Sequence, residues 1–199
     1  MATYTVTLTG ASGAAYGLKL LHYLVNKGHT MYVAISGDGL SILRDETGLH
    51  LTGSAKDVQV ALEKHLGAQE GQVRYFDEHT MYAPIASGSA KVDAMVVIPC
   101  SMKTLAAMAN GYASNLIERA ADVMIKEKRK LIVVPRETPL SAIHLKNMLT
   151  LAELGCHLIP AMPAFYHHPK TIEDMTDFIV GRVLDSMGIE NDLVPRWQS

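Results

Sequence analysis

Residues 9–17, TGASGAAYG, follow the apolar run of residues 4–8 and precede the amphipathic run of residues 18–25. Gly10, Ser12 and Gly13 therefore stand where a strand should turn into a helix, which is where ligands gather in an open α/β sheet. Gly10 and Gly13 let backbone N–H groups approach a ligand, Ser12 adds a hydroxyl, and the helix contributes its positive dipole end. We interpret the stretch as a phosphate-binding turn; a tight turn without a ligand is the alternative.

Short β-branched runs recur along the chain, with helical stretches between them. Residues 96–98 and 132–134 are apolar without alternation, which is typical of parallel strands covered by helices on both faces. The sequence therefore predicts one domain, residues 1–199, with an α/β fold: a three-layer, doubly wound parallel sheet of the Rossmann-like or flavodoxin-like kind. Strands are predicted at residues 4–8, 31–35, 94–98, 131–134 and 157–159, and helices at residues 14–27, 39–47, 55–66, 103–109, 116–128, 141–154 and 172–187.

The composition excludes several classes of protein. Eighteen Lys and Arg against twenty Asp and Glu give a net charge of −2, so no overall basic field attracts nucleic acid or an anionic membrane surface. No apolar stretch approaches the roughly 18 residues that span a bilayer, and no leader pattern stands at the start, so we expect a cytoplasmic protein. Cys100 and Cys156 are too few for a disulfide framework or a zinc site and are predicted to lie in the core.

The glycine turn fits a mononucleotide better than two familiar phosphate motifs. No Gly-Lys-Ser/Thr sequence follows it, which excludes a Walker A loop. The second predicted strand ends at Ser36, where a dinucleotide-binding fold usually has a carboxylate for the adenosine ribose. Asp38, two residues later, weakens that argument without removing it. A mononucleotide with one phosphate is therefore the ligand we expect.

Two more predicted strands end in polar turns. Residues 99–104, PCSMKT, bring Ser101, Thr104 and backbone donors to the start of a helix. A buried strand at residues 131–134 leads into Arg136 and Glu137, a charged pair where sites are built in this architecture; a surface ion pair is the alternative. The stretch at residues 78–91 is predicted to be a long connection, and such connections are often functional.

Several cations have a spacing or a place that suits an anion site. Arg119, Asp122 and Lys126 share one face of a predicted helix, although a solvated stripe of ion pairs accounts for the same pattern. Arg182 and residues 166–168, YHH, offer further donors. Adjacent histidines rarely point at one ion, and no carboxylate stands at a clear ligand spacing, so no metal site is predicted.

The single tryptophan, Trp197, lies within three residues of the C-terminus. A terminal aromatic side chain is poorly covered by its own domain, so we expect it to dock onto a neighbouring subunit. A frayed end is the alternative.

Taken together, several stretches resemble the UbiX-type flavin prenyltransferases over nearly the whole chain and in the expected order. The most specific are VPRETP at residues 134–139 and NLIERAADV at residues 115–123. The others are TGASGAAYG, ASGS at residues 86–89, PCSMKT, PAFYHHP at residues 163–169 and the terminal PRW.

This resemblance implies a homo-oligomeric, dodecameric enzyme with a flavodoxin-like fold and a link to ubiquinone biosynthesis. The implied reaction needs no metal: a transferase attaches the dimethylallyl group of dimethylallyl phosphate to reduced FMN, which serves as the acceptor. The prenyl carbon is joined to flavin N5, and ring closure follows at C6. The product, prenylated FMN, is used by a UbiD-type decarboxylase. Whether the donor is the monophosphate or the diphosphate stays open.

The resemblance also implies site residues, position by position. Flavin contacts fall on Gly10, Ala11, Ser12, Ser36, Ser101, Met102, Lys103, Thr104 and Arg136. Contacts to dimethylallyl phosphate fall on Lys126, Tyr166 and Arg182, with Arg119 nearby. Met102 and Lys103 stand where smaller or more neutral residues are expected, so their backbone rather than their side chains is expected to take part.

The implied chemistry is consistent without a metal. Breaking the allylic C–O bond leaves a phosphate dianion, which the preorganised cations Lys126, Arg182 and Arg119 can stabilise. Glu137 with Ser12 is expected to relay the proton that leaves C6, with the bound phosphate as another candidate base. Glu46 is expected to assist at the prenyl carbon.

Two other functions stay open. A related flavoprotein of the cysteine-decarboxylase kind shares the sheet and FMN and uses a catalytic histidine, for which His22 or His79 can be proposed. In that reaction Lys126, Glu137 and Arg182 have no task. A noncatalytic flavin-binding partner subunit is the other alternative, and it predicts FMN binding without turnover.

Overall fold

The computed structural model describes residues 1–194 and contains one six-stranded, all-parallel sheet. Its strands are β1 (Thr3–Leu8), β2 (Thr30–Ile35), β3 (Val73–Asp77), β4 (Ala94–Cys100), β5 (Lys130–Pro135) and β6 (His157–Leu158). The strand order is β3-β2-β1-β4-β5-β6, the doubly wound order of the Rossmann fold. The predicted fold class is confirmed, and the order reverses between β1 and β4, where the crevice for ligands opens.

Within residues 1–194 there are seven α-helices, as predicted, six between strands and one after β6, and their ends differ from the predicted ones by at most two residues. They are α1 (Ala14–Asn26), α2 (Gly37–Thr47), α3 (Ala55–Leu66), α4 (Met102–Ala109), α5 (Leu116–Lys126), α6 (Ala142–Glu153) and α7 (Ile172–Met187). The long connection after β3 contains a short 3-10 helix, Pro84–Ala86. Within residues 1–194, no helix combines the length and the apolar character needed to cross a membrane.

The sheet separates two apolar cores, because successive side chains of a strand point to opposite faces. Val96 and Ile98 of β4 belong to the core that α1, α3 and α7 cover, whereas Met95 and Val97 belong to the core that α4, α5 and α6 cover. All seven residues of β4 are buried, which explains its apolar sequence without alternation. Both cysteines are free and buried, as predicted.

One strand, β3, was not predicted. It pairs only with β2 and lies at the edge of the sheet, so only Val73 and Tyr75 are buried. Arg74 and Asp77 are exposed, and the Arg74 guanidinium lies over the rings of Tyr32 and Phe76, 5.3 and 5.7 Å from their centroids. A five-residue strand with two charged positions lacks the apolar run by which the other strands were found.

Candidate active site

Three of the polar turns lie side by side at the carboxyl edge of the sheet. The backbone N–H and the hydroxyl of Thr9 both donate to the Pro99 carbonyl at 3.1 Å, and the Ser101 N–H donates to the Thr9 hydroxyl at 2.7 Å. The Arg136 N–H donates to the Cys100 carbonyl at 3.2 Å. The turns after β1, β4 and β5 therefore form one continuous surface.

The start of α1 is occupied by a carboxylate of the chain itself. Gly13 has φ +110°, a conformation that favours glycine, and its N–H and that of Ala14 each donate to Glu46 Oε2 at 2.9 Å. The Ser12 hydroxyl donates to the same carboxylate. The turn predicted to bind phosphate thus holds the end of α2 in place through Glu46.

The charge of Glu46 is stabilised by its surroundings. Burial acts to raise the pKa of Glu46, but the hydrogen bonds from Ser12, Gly13 and Ala14 and the charge of Arg136 outweigh it, so the pKa lies below its usual range. Burial and the charge of Glu46 raise the pKa of the neighbouring Tyr16, against the opposing charge of Arg136. The charges of Glu46 and Arg136 therefore both act on Tyr16, and Arg136 also acts on Glu46. Tyr16 was not among the predicted site residues.

The start of α2 lies next to the first turn. A Cβ on Gly10 would stand 2.5 Å from the Cβ of Asp38, so only glycine permits this approach. Ser36 caps α2 by accepting from the Gly39 N–H at 3.0 Å, and the Gly37 N–H donates to Glu78 Oε1 at 2.6 Å. Glu78 was not predicted, because it follows the strand that the sequence analysis missed.

The start of α4 differs from the other two. The Ser101 hydroxyl caps the helix by accepting from the Thr104 N–H at 3.3 Å and donates to the Thr104 hydroxyl at 3.1 Å. The Met102 side chain is buried in the core, and the Lys103 side chain is exposed to solvent. Within residues 1–194 the N–H groups of Met102 and Lys103 have no acceptor, so this helix start is free to bind an anion.

Among the described residues, Arg136 provides a second free hydrogen-bond donor at this edge of the sheet. Its Nε is buried and has no hydrogen-bond partner in the described part of the chain, a costly arrangement unless another group completes it. Glu137 is exposed, and its Oε1 accepts from the Thr138 N–H at 3.0 Å; no ion pair within residues 1–194 joins it to Arg136. Both residues line a cavity of about 220 Å³ with Met148 and Met162.

Tyr166 and Arg182 lie in one neighbourhood near this cavity. The loop after β6 starts beside the third turn, where the Ala161 N–H donates to the Pro135 carbonyl at 3.0 Å. The Tyr166 ring stands edge-on to Phe178 at 5.9 Å, and Arg182 follows Phe178 by one turn of α7. Phe178 and Arg182 line a groove of about 760 Å³ between α7 and β6.

Arg119 and Lys126 are not brought to this edge together. Leu116, at the start of α5, lies at the carboxyl edge, where its N–H donates to the Glu78 carbonyl at 2.7 Å. Lys126 is ten residues further along α5, about 15 Å towards the opposite edge, and pairs with Glu127 at 2.6 Å. Arg119 pairs with Asp122 at 2.7 Å, as the ion-pair alternative predicted.

The remaining sequence candidates lie elsewhere. His22 is exposed on α1, where its Nδ1 lies 3.0 Å from Asn26 Nδ2. His79 is exposed in the loop after β3. No group of three or more His, Cys, Asp or Glu side chains in residues 1–194 is arranged to hold a metal ion. Trp197, predicted to dock on a neighbouring subunit, lies outside the described residues.

Comparison with known proteins gives the family. The Flavoprotein family model matches residues 2–184. The chain is 48% identical over 193 residues to the flavin prenyltransferase UbiX of Pseudomonas aeruginosa, covering 97% of this chain and 92% of that protein. This chain belongs to the UbiX flavin prenyltransferases. It is therefore a transferase.

Solved structures of UbiX proteins have the same fold. AnUbiX (PadA1), crystallised with FMN and dimethylallyl pyrophosphate, superposes with a TM-score of 0.88 at 38% identity, covering 100% of this chain and 98% of that one. A dodecameric FMN-dependent UbiX-like decarboxylase from Escherichia coli O157:H7 gives 0.86 at 42% identity, covering 99% and 100%. The cysteine decarboxylase TvaF, at 16% identity and a TM-score of 0.62, covers 94% of this chain and 99% of that one and shares the fold alone.

Proposed function

We propose that this UbiX protein transfers the dimethylallyl group of dimethylallyl phosphate to N5 and C6 of reduced FMN. The observation that carries the proposal is the buried Nε of Arg136, which has no hydrogen-bond partner among residues 1–194 and belongs to a turn that lines a cavity. A ligand that accepts a hydrogen bond there completes the site. In this proposal residues 1–199 form one FMN-binding domain.

The helix starts suggest where FMN is held. The first N–H group of α1 donates to Glu46, and that of α2 donates to Glu78, whereas the N–H groups of Met102 and Lys103 in α4 have no acceptor among residues 1–194. We assign the FMN phosphate to the start of α4, because a helix N-terminus with free donors favours an anion. The flavin ring system then falls to the crevice between the first turn and Arg136.

When bound, FMN supplies the nucleophilic atoms N5 and C6, and the chain handles protons and charge around them. The ionised Glu46 orients the Ser12 hydroxyl and presents negative charge to a cationic prenyl group. Glu46 is engaged by the N–H groups of Gly13 and Ala14 and by the Ser12 hydroxyl, so we assign the proton that leaves C6 to Glu137. Glu137 is exposed, and its Oε1 accepts a hydrogen bond from the Thr138 N–H.

The leaving phosphate needs cations from more than one chain in this proposal. Arg182 and Phe178, which contacts Tyr166, belong to α7 on one face of the sheet, whereas Lys126 ends α5 on the other face. A second copy that sets its Lys126 against Tyr166 and Arg182 completes the cluster. We therefore propose a homo-oligomer, a dodecamer as in the E. coli structure, in which neighbouring chains share the site.

The cell compartment and the fate of the product also belong to the proposal. The free cysteines Cys100 and Cys156 suit a reducing cytoplasm. The product, prenylated FMN, is passed to a UbiD-type decarboxylase. Neither nucleic acid nor a membrane takes part, because the chain carries a net charge of only −2.

An anaerobic assay tests the proposal. The protein is incubated with reduced FMN and dimethylallyl phosphate, and the extracted flavin is analysed by mass spectrometry. We expect a product heavier by one C5 unit with the wild type, almost none with Arg182→Met, and a wild-type amount with the control Arg74→Met on β3. Unmodified FMN alone, while a known flavin prenyltransferase works under the same conditions, would contradict the proposal.

A thermal-shift measurement separates the two alternatives. Dimethylallyl phosphate should raise the melting temperature further once FMN is present, because it adds a ligand to the folded state. A cysteine decarboxylase has no site for this phosphate and should not respond. A noncatalytic flavin-binding subunit binds FMN but leaves it unmodified in the mass assay.

A further inference from the structure

Residues 86–90, ASGSA, form a strip whose two sides differ. Ala86, Gly88 and Ala90 are half-buried, whereas Ser87 and Ser89 are exposed and their hydroxyls lie 2.9 Å apart. The strip precedes β4, so it lies near the amino edge of the sheet, close to the C-terminal end of α5. Its inward carbonyls therefore need donors from the chain beneath them.

Arginines supply those donors. The Arg129 guanidinium donates to the carbonyls of Gly88 and Ala90, both at 2.6 Å, and Arg119 Nε donates to the Ala86 carbonyl at 3.1 Å. Arg129 is half-buried and stands directly before β5. A planar guanidinium can bridge two carbonyls at once, which a lysine ammonium on a flexible stem does less well.

Lys126 lies against the same strip. A Cβ on Gly88 would stand 3.2 Å from Lys126 Nζ and would overlap the Glu127 carboxylate. The glycine therefore lets the Lys126 ammonium lie close to the backbone of the strip that carries Ser87 and Ser89. Any displacement of the strip moves the hydroxyls relative to the ammonium.

We propose that Arg129 is a positioning residue for the prenyl donor. It fixes the strip at residues 86–90 so that Lys126, Ser87 and Ser89 present one surface to the phosphate of dimethylallyl phosphate. Arg129 does not touch the substrate; both of its nitrogens that donate to the strip are committed to carbonyls. The inference rests on the proposed function, in which Lys126 binds that phosphate.

Substitution of Arg129 tests the proposal by two independent measurements. In Arg129→Gln, we expect the KM for dimethylallyl phosphate to rise about ten-fold at saturating FMN, because a small misplacement of a binding group is costly. The KM for FMN should stay unchanged, and backbone amides of the strip should exchange hydrogen faster. Arg129→Lys should lie between wild type and Arg129→Gln on both measurements.

Lys128→Gln is the matched control. Lys128 lies in the same turn and carries the same charge, but its side chain is exposed and the turn is held by its backbone N–H, which donates to the Ile125 carbonyl at 3.0 Å. We expect wild-type values for both KM and exchange. A rise in the donor KM with this control would mean that loss of positive charge, not loss of the bridge, explains Arg129→Gln, and the proposal would be wrong.

Gly88→Ala disturbs the strip with Arg129 intact. Its Cβ collides with Glu127 and crowds Lys126, so we expect a higher KM for the donor and no change in the KM for FMN. Should Arg129→Gln not fold, Arg129→Lys and Gly88→Ala decide the question. Wild-type donor KM and wild-type exchange in Arg129→Lys, or an equal rise in both KM values in either variant, would overturn the inference.

The proposed function and this inference fail separately. If the wild type makes no prenylated flavin, the proposed function is wrong. The hydrogen-exchange rates of residues 86–90 in the wild type and in Arg129→Gln still show whether Arg129 stabilises the strip. If the wild type is active and Arg129→Gln keeps the donor KM within about two-fold of it, the inference alone is wrong.

Discussion

Glu46 accepts a hydrogen bond at 2.9 Å from the backbone N–H of Ala14, the first residue of α1. The other six helices begin after a Ser, Thr or Asn whose side chain accepts a backbone N–H. α1 begins after Gly13, which has no side chain to do so. A carboxylate from α2 therefore balances the dipole of α1, and the turn stays small enough for a ligand to approach.

Glu46→Gln should weaken this connection at neutral pH. The amide keeps one oxygen acceptor but loses the charge, so we expect a loss of a few tenths to about 1 kcal/mol in the free energy of unfolding, since the site is exposed to solvent. Urea unfolding of the two proteins measures the difference. A matched control is Asp45→Asn, which changes the neighbouring carboxylate that pairs with Arg44 at 2.8 Å.

The stability difference should depend on pH in a defined direction. The folded-state pKa of Glu46 lies below its ordinary value of 4.5, so the carboxylate stabilises the fold above pH 4.5. That contribution is lost as the pH falls from 4.5 through the lower folded-state pKa. Unfolding curves of wild type and Glu46→Gln should therefore converge in acid, and a gap that persists or widens there would contradict an ionised Glu46.

Arg136→Lys should weaken FMN binding by about ten-fold, because lysine keeps the charge but lacks the buried Nε–H, which has no partner among the described residues 1–194. Quenching of flavin fluorescence on titration measures the affinity. Arg74→Lys, on the exposed face of β3, is the control. An unchanged affinity for FMN in Arg136→Lys would show that this nitrogen does not face the flavin.

Much of this arrangement follows from the sequence, because the decisive signals are local. Ser101 and Thr171 mark helix starts by their own side chains, and the apolar run of β4 marks a strand buried on both faces. Ends of parallel strands meet at one edge, so the convergence of Ser101 and Arg136 with the first turn was predictable.

Other features depend on contacts between distant parts of the chain. Glu46 and Gly13 are 33 residues apart, and no spacing in the sequence indicates that a carboxylate at the end of α2 caps α1. Glu78 was missed together with β3, since an edge strand with charged residues has no clear apolar pattern. Lys126 and Arg182 are separated because α5 and α7 cover opposite faces of the sheet, which the two helix patterns alone leave open.

Glu137→Gln should slow ring closure at C6 more than bond formation at N5. The amide cannot accept the proton that leaves C6, whereas attachment at N5 does not use this carboxylate. Rapid-quench sampling of a single turnover, with flavin products resolved by mass and absorption, separates the two stages. Thr138→Ala, which keeps the backbone N–H that holds Glu137, serves as the control. Equal loss of both stages would argue against Glu137 as the base.

Neither cysteine should react with a thiol reagent in the native protein. Burial raises the pKa of Cys100 far above its usual range and that of Cys156 to about 11, so thiolate is scarce and inaccessible. We expect no labelling by Ellman's reagent under native conditions and two thiols per chain after denaturation in guanidinium. Rapid native labelling of Cys100 would mean that the turn after β4 opens readily.

A mixing experiment tests whether neighbouring chains share the site. Lys126→Met and Arg182→Met should each be inactive alone, because each removes a cation that stabilises the leaving phosphate. If Lys126 of one chain faces Arg182 of another, co-assembly of the two variants restores sites in which both residues are intact. Random mixing in equal amounts gives such a combination at about a quarter of the sites. We therefore expect co-expressed variants to recover about that fraction of wild-type activity, whereas separately purified proteins mixed without subunit exchange stay inactive. No recovery in verified mixed oligomers would mean that both residues serve the same chain's site or that Lys126 does not bind the donor.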